Sequence, residues 1–459
     1  MKRILSICLS AALSVSLLAA CGQSATPAAG SASASTSAAA STESTKASET
    51  PAASEMKDVE LTMFASQGWI FDIDQTIADE FAEKTGITVD IQVNPADQHS
   101  NLLAAKINGG EAPDIFMIQA DKFSTKSQID PENNCIDLSG EEWVSRMEDY
   151  WKPSVTVNGK LYGLPIWNDG LHFVYVYNDK IFANLGLKVP TTYAEFKDVC
   201  AKIMASGVTP VYQAVADGWY HHLPLFEIGG LYEDKNPGAY DKLNANQMKC
   251  ADIPQLEQVL GQFDEFAKLG YFGKDYMSNT VAAGNKAMAE GKAAIMLSDM
   301  SLPQTIAKDF PESGAETWGY FVAPWGDNQN LDNVPGGPAR FASATSENKD
   351  AILEYFNYIA SPEVLAQYIE NQPQALKLTF KDVEMKFNDK QKAFLDAASK
   401  KQGVVMQNAV SYVNIQWMDV GQDVSAMFAG AMTPKQVVEQ IDKRRAEHAV
   451  AEKDPAWSK

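Results

Sequence analysis

Apolar residues recur along this chain in two alternating rhythms. Val59 to Phe64 is a short β-rich run. Ile70, Ile73, Ile77 and Phe81 follow at helical spacing, and Gly86 supplies a stop. Ile87 to Val93 is β-rich again. Leu102, Leu103 and Ile107 mark a second helix, closed by Gly109-Gly110, and Pro113 to Ile118 is a third strand. Strands alternating with helices predict parallel βαβ units, and in such sheets ligands bind beyond the carboxyl ends of the strands. The loops opening at Gln67 and Gln119 are therefore the places to look. A second region opens at Asn158 to Pro165, followed by a β-forming stretch from Leu171 to Asn178 and a short helix from Ile181 to Gly186. Thr192 and Glu195, behind Pro190, have capping-box spacing and predict a helix through Val199, Cys200 and Ile203.

The N-terminus has a different pattern. Lys2 and Arg3 precede an almost wholly apolar or small stretch from Ile4 to Leu18, which reads as a secretory signal peptide over residues 1–20. It ends in Leu18-Ala19-Ala20-Cys21, which resembles the bacterial lipobox, so Cys21 is the expected lipidation site. More than one acyl chain there makes attachment to the membrane durable. Gly22 to about Lys57 is Ser, Ala and Thr without apolar periodicity. Such a segment cannot offset the entropy cost of folding, and reads as a tether with an end-to-end distance of roughly 30–35 Å.

The whole chain has 459 residues, 45% of them hydrophobic, enough for two or three domains. Its formal charge of -21 becomes -23 once Lys2 and Arg3 are removed, which disfavours nucleic acid as a partner. No apolar run long enough to span a membrane follows the first 20 positions.

Cys135, Cys200 and Cys250 lack the spacing of a zinc site, and a disulfide between two of them is left open. The neighbours His221 and His222 do not converge well on one ion from either a strand or a helix. No metal and no cofactor is expected. Motifs such as GxSxG, HExxH, a P-loop or GxGxxG are absent.

The order Gly159-Lys160-Leu161-Tyr162-Gly163-Leu164-Pro165, then an apolar strand, then Tyr177 to Phe182 and Pro190 to Phe196, resembles the extracellular solute-binding proteins of carbohydrate ABC importers (the maltodextrin-binding type). Further matches follow in order: Phe263 to Gly270, Ala287 to Leu297, Trp318 to Pro324, Gly336 to Ser343, Lys349 to Glu363, and Trp417 ahead of Gly430 and Pro434 to Arg445. The resemblance implies an α/β fold of two lobes, the type II periplasmic-binding architecture, that closes about a hinge. Lobe one would be 58–169 plus 322–360, and lobe two 170–321 plus 361–459. The crossings would lie near Asn168 to Leu171, Phe321 and Ala360. The resemblance also implies a monomer that carries no chemistry, takes a carbohydrate ligand and delivers it to the transmembrane subunits of an ABC permease.

Sugars present hydroxyl rims and weakly apolar faces, so their sites need flat rings and hydrogen-bonding groups. The candidates are Gln67 and Trp69 after the first strand, Asp121 and Lys122 after the third, Trp167 and Asp169 at the first crossing, and Trp219 and Tyr220 after Val215. Asp299, Gly337, Arg340 and Trp417 complete the set. By resemblance, Asp121-Lys122 takes the place of an acidic-basic pair, Asp169 that of an acidic sugar contact, and Trp417 that of a C-terminal platform. Met300 and Ser301 stand where relatives carry a stacking tryptophan. Each candidate has a plainer alternative. A tryptophan can pack in a core, Arg340 can form a structural ion pair, and Asp121 and Lys122 can pair with each other. Two other functions stay open: a lipid-anchored glycoside hydrolase recruiting Asp169, Asp217 or Asp299, and a binding protein for a peptide or polyamine.

Overall fold

A computed structural model describes residues 58–167, 172–373, 375–398 and 403–457. The signal peptide, Cys21, the tether, the first expected crossing and Asp169 lie outside the described residues.

The strands are β1 (Val59–Ser66), β2 (Ile87–Asn94), β3 (Ile115–Ala120), β4 (Thr156–Val157), β5 (Lys160–Leu161), β6 (Gly163–Leu164), β7 (Val174–Tyr177), β8 (Thr209–Tyr212), β9 (Ala293–Ser298), β10 (Gly319–Phe321) and β11 (Gly337–Ala342). Five of them form one sheet in the order β2-β1-β3-β11-β6, and four form another in the order β10-β7-β9-β8. In the first sheet β1 runs parallel to β2 and β3, as the alternating pattern predicts. β11 returns antiparallel between β3 and β6. Helices α1 (Asp72–Thr85) and α2 (His99–Gly109) supply the crossovers, each ending on a left-handed glycine, Gly86 or Gly110. In the second sheet β7 pairs antiparallel with both β9 and β10, and β8 runs parallel to β9.

Each sheet has its own core. The first gathers Leu61, Met63, Ile77, Phe81, Phe116 and Phe341, and the second gathers Phe196, Ile203, Phe263, Ile295, Trp318 and Trp325. Thr192 caps its helix by accepting from the Glu195 N–H (3.3 Å), while the Glu195 carboxylate reaches back to the Thr191 N–H (2.8 Å). Cys135, Cys200 and Cys250 are all buried free thiols.

Two crossings differ from expectation. Trp325 and Leu331 belong to the second core, so the return to lobe one falls between Leu331 and Gly337, not near Phe321. The helix Pro362–Asn371 buries Val364, Leu365, Tyr368 and Ile369 in the first core, together with Leu378 and Phe380. Residues past Ala360 therefore still pack on the first core, with Leu376 alone among those described reaching the second, and the chain passes to the second core between Val383 and Phe387. The reason is physical: an amphipathic helix shows which face is buried, not which sheet receives it.

Candidate functional site

The loops at the carboxyl ends of β1 and β3 carry the lobe-one candidates. Gln67 is exposed and its N–H donates to the Asn94 carbonyl (2.8 Å). Trp69 is half-buried and meets the His99 ring edge-on, with centroids 5.2 Å apart at 74°. His99 is itself buried, stacked on Phe64, and hydrogen-bonded through Nε2 to the Met117 carbonyl (2.8 Å). Burial lowers its pKa, so the ring stays neutral and Nε2 donates. Trp167 stacks on Phe71 at 5.9 Å and 26°. A Cβ at Gly337 would stand 2.9 Å from Trp151 Cη2 and 3.1 Å from Trp167 Cδ1. The glycine lets the Trp167 indole lie against the start of β11, and its role is spatial.

Lobe two builds its platform differently. Trp219 and Trp417 are half-buried, and the Trp417 indole N–H donates to the Trp219 carbonyl (3.0 Å). Trp417 rests on His222 (4.4 Å between centroids) and on Phe226 (5.3 Å). The supporting loop presses on the helix Trp417–Phe428 so closely that a Cβ at Gly421 would lie 1.9 Å from the Gly218 carbonyl oxygen. His221 is held by the Gly421 carbonyl (2.8 Å), and burial pushes its pKa down to about 4. Burial also drives His222 far down.

Several candidates are buried or held by partners within the protein. Tyr220 is 2% exposed and its hydroxyl donates to the Leu297 carbonyl (2.6 Å) inside the second core. Arg340 is 2% exposed and its Nη2 donates to Asp74 Oδ1 (2.5 Å) between β11 and α1. Every residue of β11 is buried, so strand alternation turns no side chain to solvent there. Asp299 is partly buried and accepts from the Ser301 N–H (2.7 Å) and hydroxyl, and burial raises its pKa. Asp121 is fully buried, and burial raises its carboxyl above the usual range. Lys122 is exposed, with its ammonium 5.3 Å from the Phe123 ring centroid. Among the described residues, no three His, Cys, Asp or Glu side chains converge as metal ligands.

The lobes touch close in sequence to Trp417. Asn414, three residues before Trp417, donates to Asp121 Oδ2 at 2.5 Å. Phe71, His99 and Asn414 escaped the sequence reading, and His222 was weighed there only as a metal ligand. Phe71 was signalled only by its place beside Trp69, and the others by nothing local.

Two α/β lobes, each bearing half-buried indoles on its loops, make a two-lobed protein of the solute-binding kind. Residues 71–366 match the model of the bacterial extracellular solute-binding protein family, and the chain belongs to that family. A multiple sugar-binding protein of Streptococcus mutans is 22% identical over 303 residues, 64% of this chain and 70% of that relative. Among solved structures, a chitin oligosaccharide binding protein superposes with a TM-score of 0.70 at 19% identity, covering 85% of this chain and 98% of its own. A sugar transporter protein of Bacillus licheniformis, in complex with stachyose, superposes with a TM-score of 0.67 at 20% identity, over 84% and 98%.

Proposed function

We propose that this protein captures a sugar, with an oligosaccharide the best fit, between its two lobes and hands it to an ABC permease while held at the membrane by lipid on Cys21. What supports the reading is that each lobe carries half-buried indoles, Trp69 and Trp167 (stacked on Phe71) in lobe one and Trp219 with Trp417 in lobe two, Trp417 lying three residues after the Asn414 contact with Asp121. Indole faces suit the C–H faces of pyranose rings, and several platforms suit several rings. Gln67 and Lys122, both exposed, supply donors for hydroxyl groups, and Asp169 is the expected acidic partner. Relatives that bind sugars support the ligand class.

The protein performs no reaction in this reading. A hydrolase needs a pair of disposable carboxylates. Asp217 instead accepts from the Val281 N–H (2.6 Å), and Asp299 is bound to Ser301. Closure follows from a ligand that bridges the lobes and so binds the closed form better.

A thermal-shift screen against mono- and oligosaccharides, with a peptide and a polyamine as alternatives, tests the ligand class, because a ligand of the folded form raises Tm by mass action. A shift with sugars only, and no new reducing ends after incubation, is the expected result. A shift with peptide or polyamine only, or the release of reducing ends, overturns the reading. Radiolabelled palmitate incorporation that is lost in Cys21→Ala checks the anchor.

A further inference from the structure

We propose that Asp121 and Asn414 form a positioning pair that holds the lobe-two aromatic platform in register with lobe one, and that Asp121 makes no contact with the ligand. A carboxylate offers about four lone-pair sites. Four donors occupy those of Asp121. Oδ1 accepts from the Phe123 N–H (2.7 Å) and the Ser124 N–H (2.9 Å). Oδ2 accepts from the Ser124 hydroxyl and the Asn414 amide (2.5 Å). The loop is pinned further by the Asp121 N–H to Thr125 Oγ1 (3.1 Å), and by the Thr125 hydroxyl to the Ser154 carbonyl (2.7 Å). Nothing on this carboxylate is left for a sugar hydroxyl, and the side chain is 0% exposed.

The two oxygens divide the work. Oδ1 serves the lobe-one loop, while Oδ2 reaches across to lobe two. Ala120, immediately before Asp121, is in the first core, and Val413, immediately before Asn414, is in the second. Asn414 opens the turn Asn414–Gln416 that runs straight into Trp417, whose N–H holds the Trp219 carbonyl. A displacement of Asn414 is therefore passed to both lobe-two indoles. Asn408 stands nearby on the same side, its Nδ2 2.6 Å from where a Gly336 Cβ would lie.

The division of the oxygens makes a sharp test possible without ligand. Asp121→Asn can keep Oδ1 for the two backbone donors but sets an amide donor against the Asn414 donor. Asn414→Asp sets two carboxylates together. The exchange of both restores one hydrogen bond with the donor now on the lobe-one side. Each single variant is expected to lower Tm by about 2–5 °C and to raise the radius of gyration of the ligand-free protein in small-angle scattering. The exchange is expected to recover both. Asn414→Ala, which leaves the three local donors of Asp121 in place, is expected to expand the ligand-free protein as well. An unchanged radius of gyration in Asn414→Ala, or an exchange variant as impaired as the two single variants combined, overturns the proposal. Neither outcome depends on which solute the protein binds.

Discussion

Each lobe sets a tryptophan against a buried histidine, but the two pairs are built on different terms. In lobe one His99 is anchored to the Met117 carbonyl and Trp69 meets it edge-on from a loop whose neighbours Gln67 and Gly68 are exposed. In lobe two His222 lies closer to Trp417, at 4.4 Å, and neither of its ring nitrogens has a hydrogen-bond partner among the described residues. Lobe two therefore leaves both nitrogens of its histidine without a partner where lobe one leaves only His99 Nδ1, and the additional unsatisfied group costs about 1–3 kcal/mol. The platform it obtains is tied on three sides, by Phe226, by the Trp219 carbonyl and by the loop pressed onto Gly421. On the proposed function, the contrast makes lobe two the fixed bed of the site and lobe one the adjustable cover.

The strongest way to break this comparison is at the glycines. Gly421→Ala puts a methyl group into a backbone oxygen and should cost more than about 4 kcal/mol in urea unfolding. Gly68→Ala meets no atom within 4 Å and pays only for its left-handed φ of +86°, about 1 kcal/mol. Similar losses at both sites would remove the claim of a rigid lobe two.

Acid–base behaviour gives the next largest effect. Glu227, adjoining Phe226 under the platform, is fully buried, and desolvation pushes its pKa up to about 8, with the Asp332 charge adding to the rise. The folded state then holds a proton that the unfolded chain releases near its ordinary value of about 4.3. This stability is complete below that value and is lost as pH rises to about 8. Glu227→Gln should flatten the fall in Tm between pH 6.5 and 8.5, a change of roughly 2–3 kcal/mol. An unaltered slope would show that the group is ionised in the fold.

On affinity, Trp417→Ala should cost about 2–3 kcal/mol and Trp69→Ala about 1 kcal/mol in calorimetry with a sugar that gives a thermal shift. The reverse order would exchange the roles of bed and cover. The smallest effect concerns the histidines. His99→Phe loses a buried hydrogen bond and should destabilise by about 1–2 kcal/mol, whereas His222→Phe should be neutral or stabilising. A large loss in His222→Phe would mean that its nitrogens are satisfied after all.

Much of the fold was legible because period and punctuation agree. The spacing of Ile73, Ile77 and Phe81 with Gly86 gives α1, and the apolar run before Asp121 gives β3. The crossings were less so, since Val364 to Ile369 reads as a helix face in either lobe. Among the candidate site residues, the sequence supplied residue types but not orientations. Trp69, Trp219 and Trp417 keep partly open faces, while Tyr220 and Arg340, on equally plausible positions, turn into the cores. Asn414 could not have been found locally, because its partner is 293 residues away.

Gly337 offers a way to disturb the Trp167–Phe71 stack from its neighbour in β11. A methyl group there would meet Trp151, which is buried and cannot yield, and the edge of Trp167, which is half-buried and can. Trp167 could give by a few tenths of an ångström, disturbing its stack with Phe71, while the closer contact with Trp151 would have to be taken up by the start of β11 itself. Position 337 thus works as a spacer: one added carbon would disturb a stacked aromatic pair without replacing either ring.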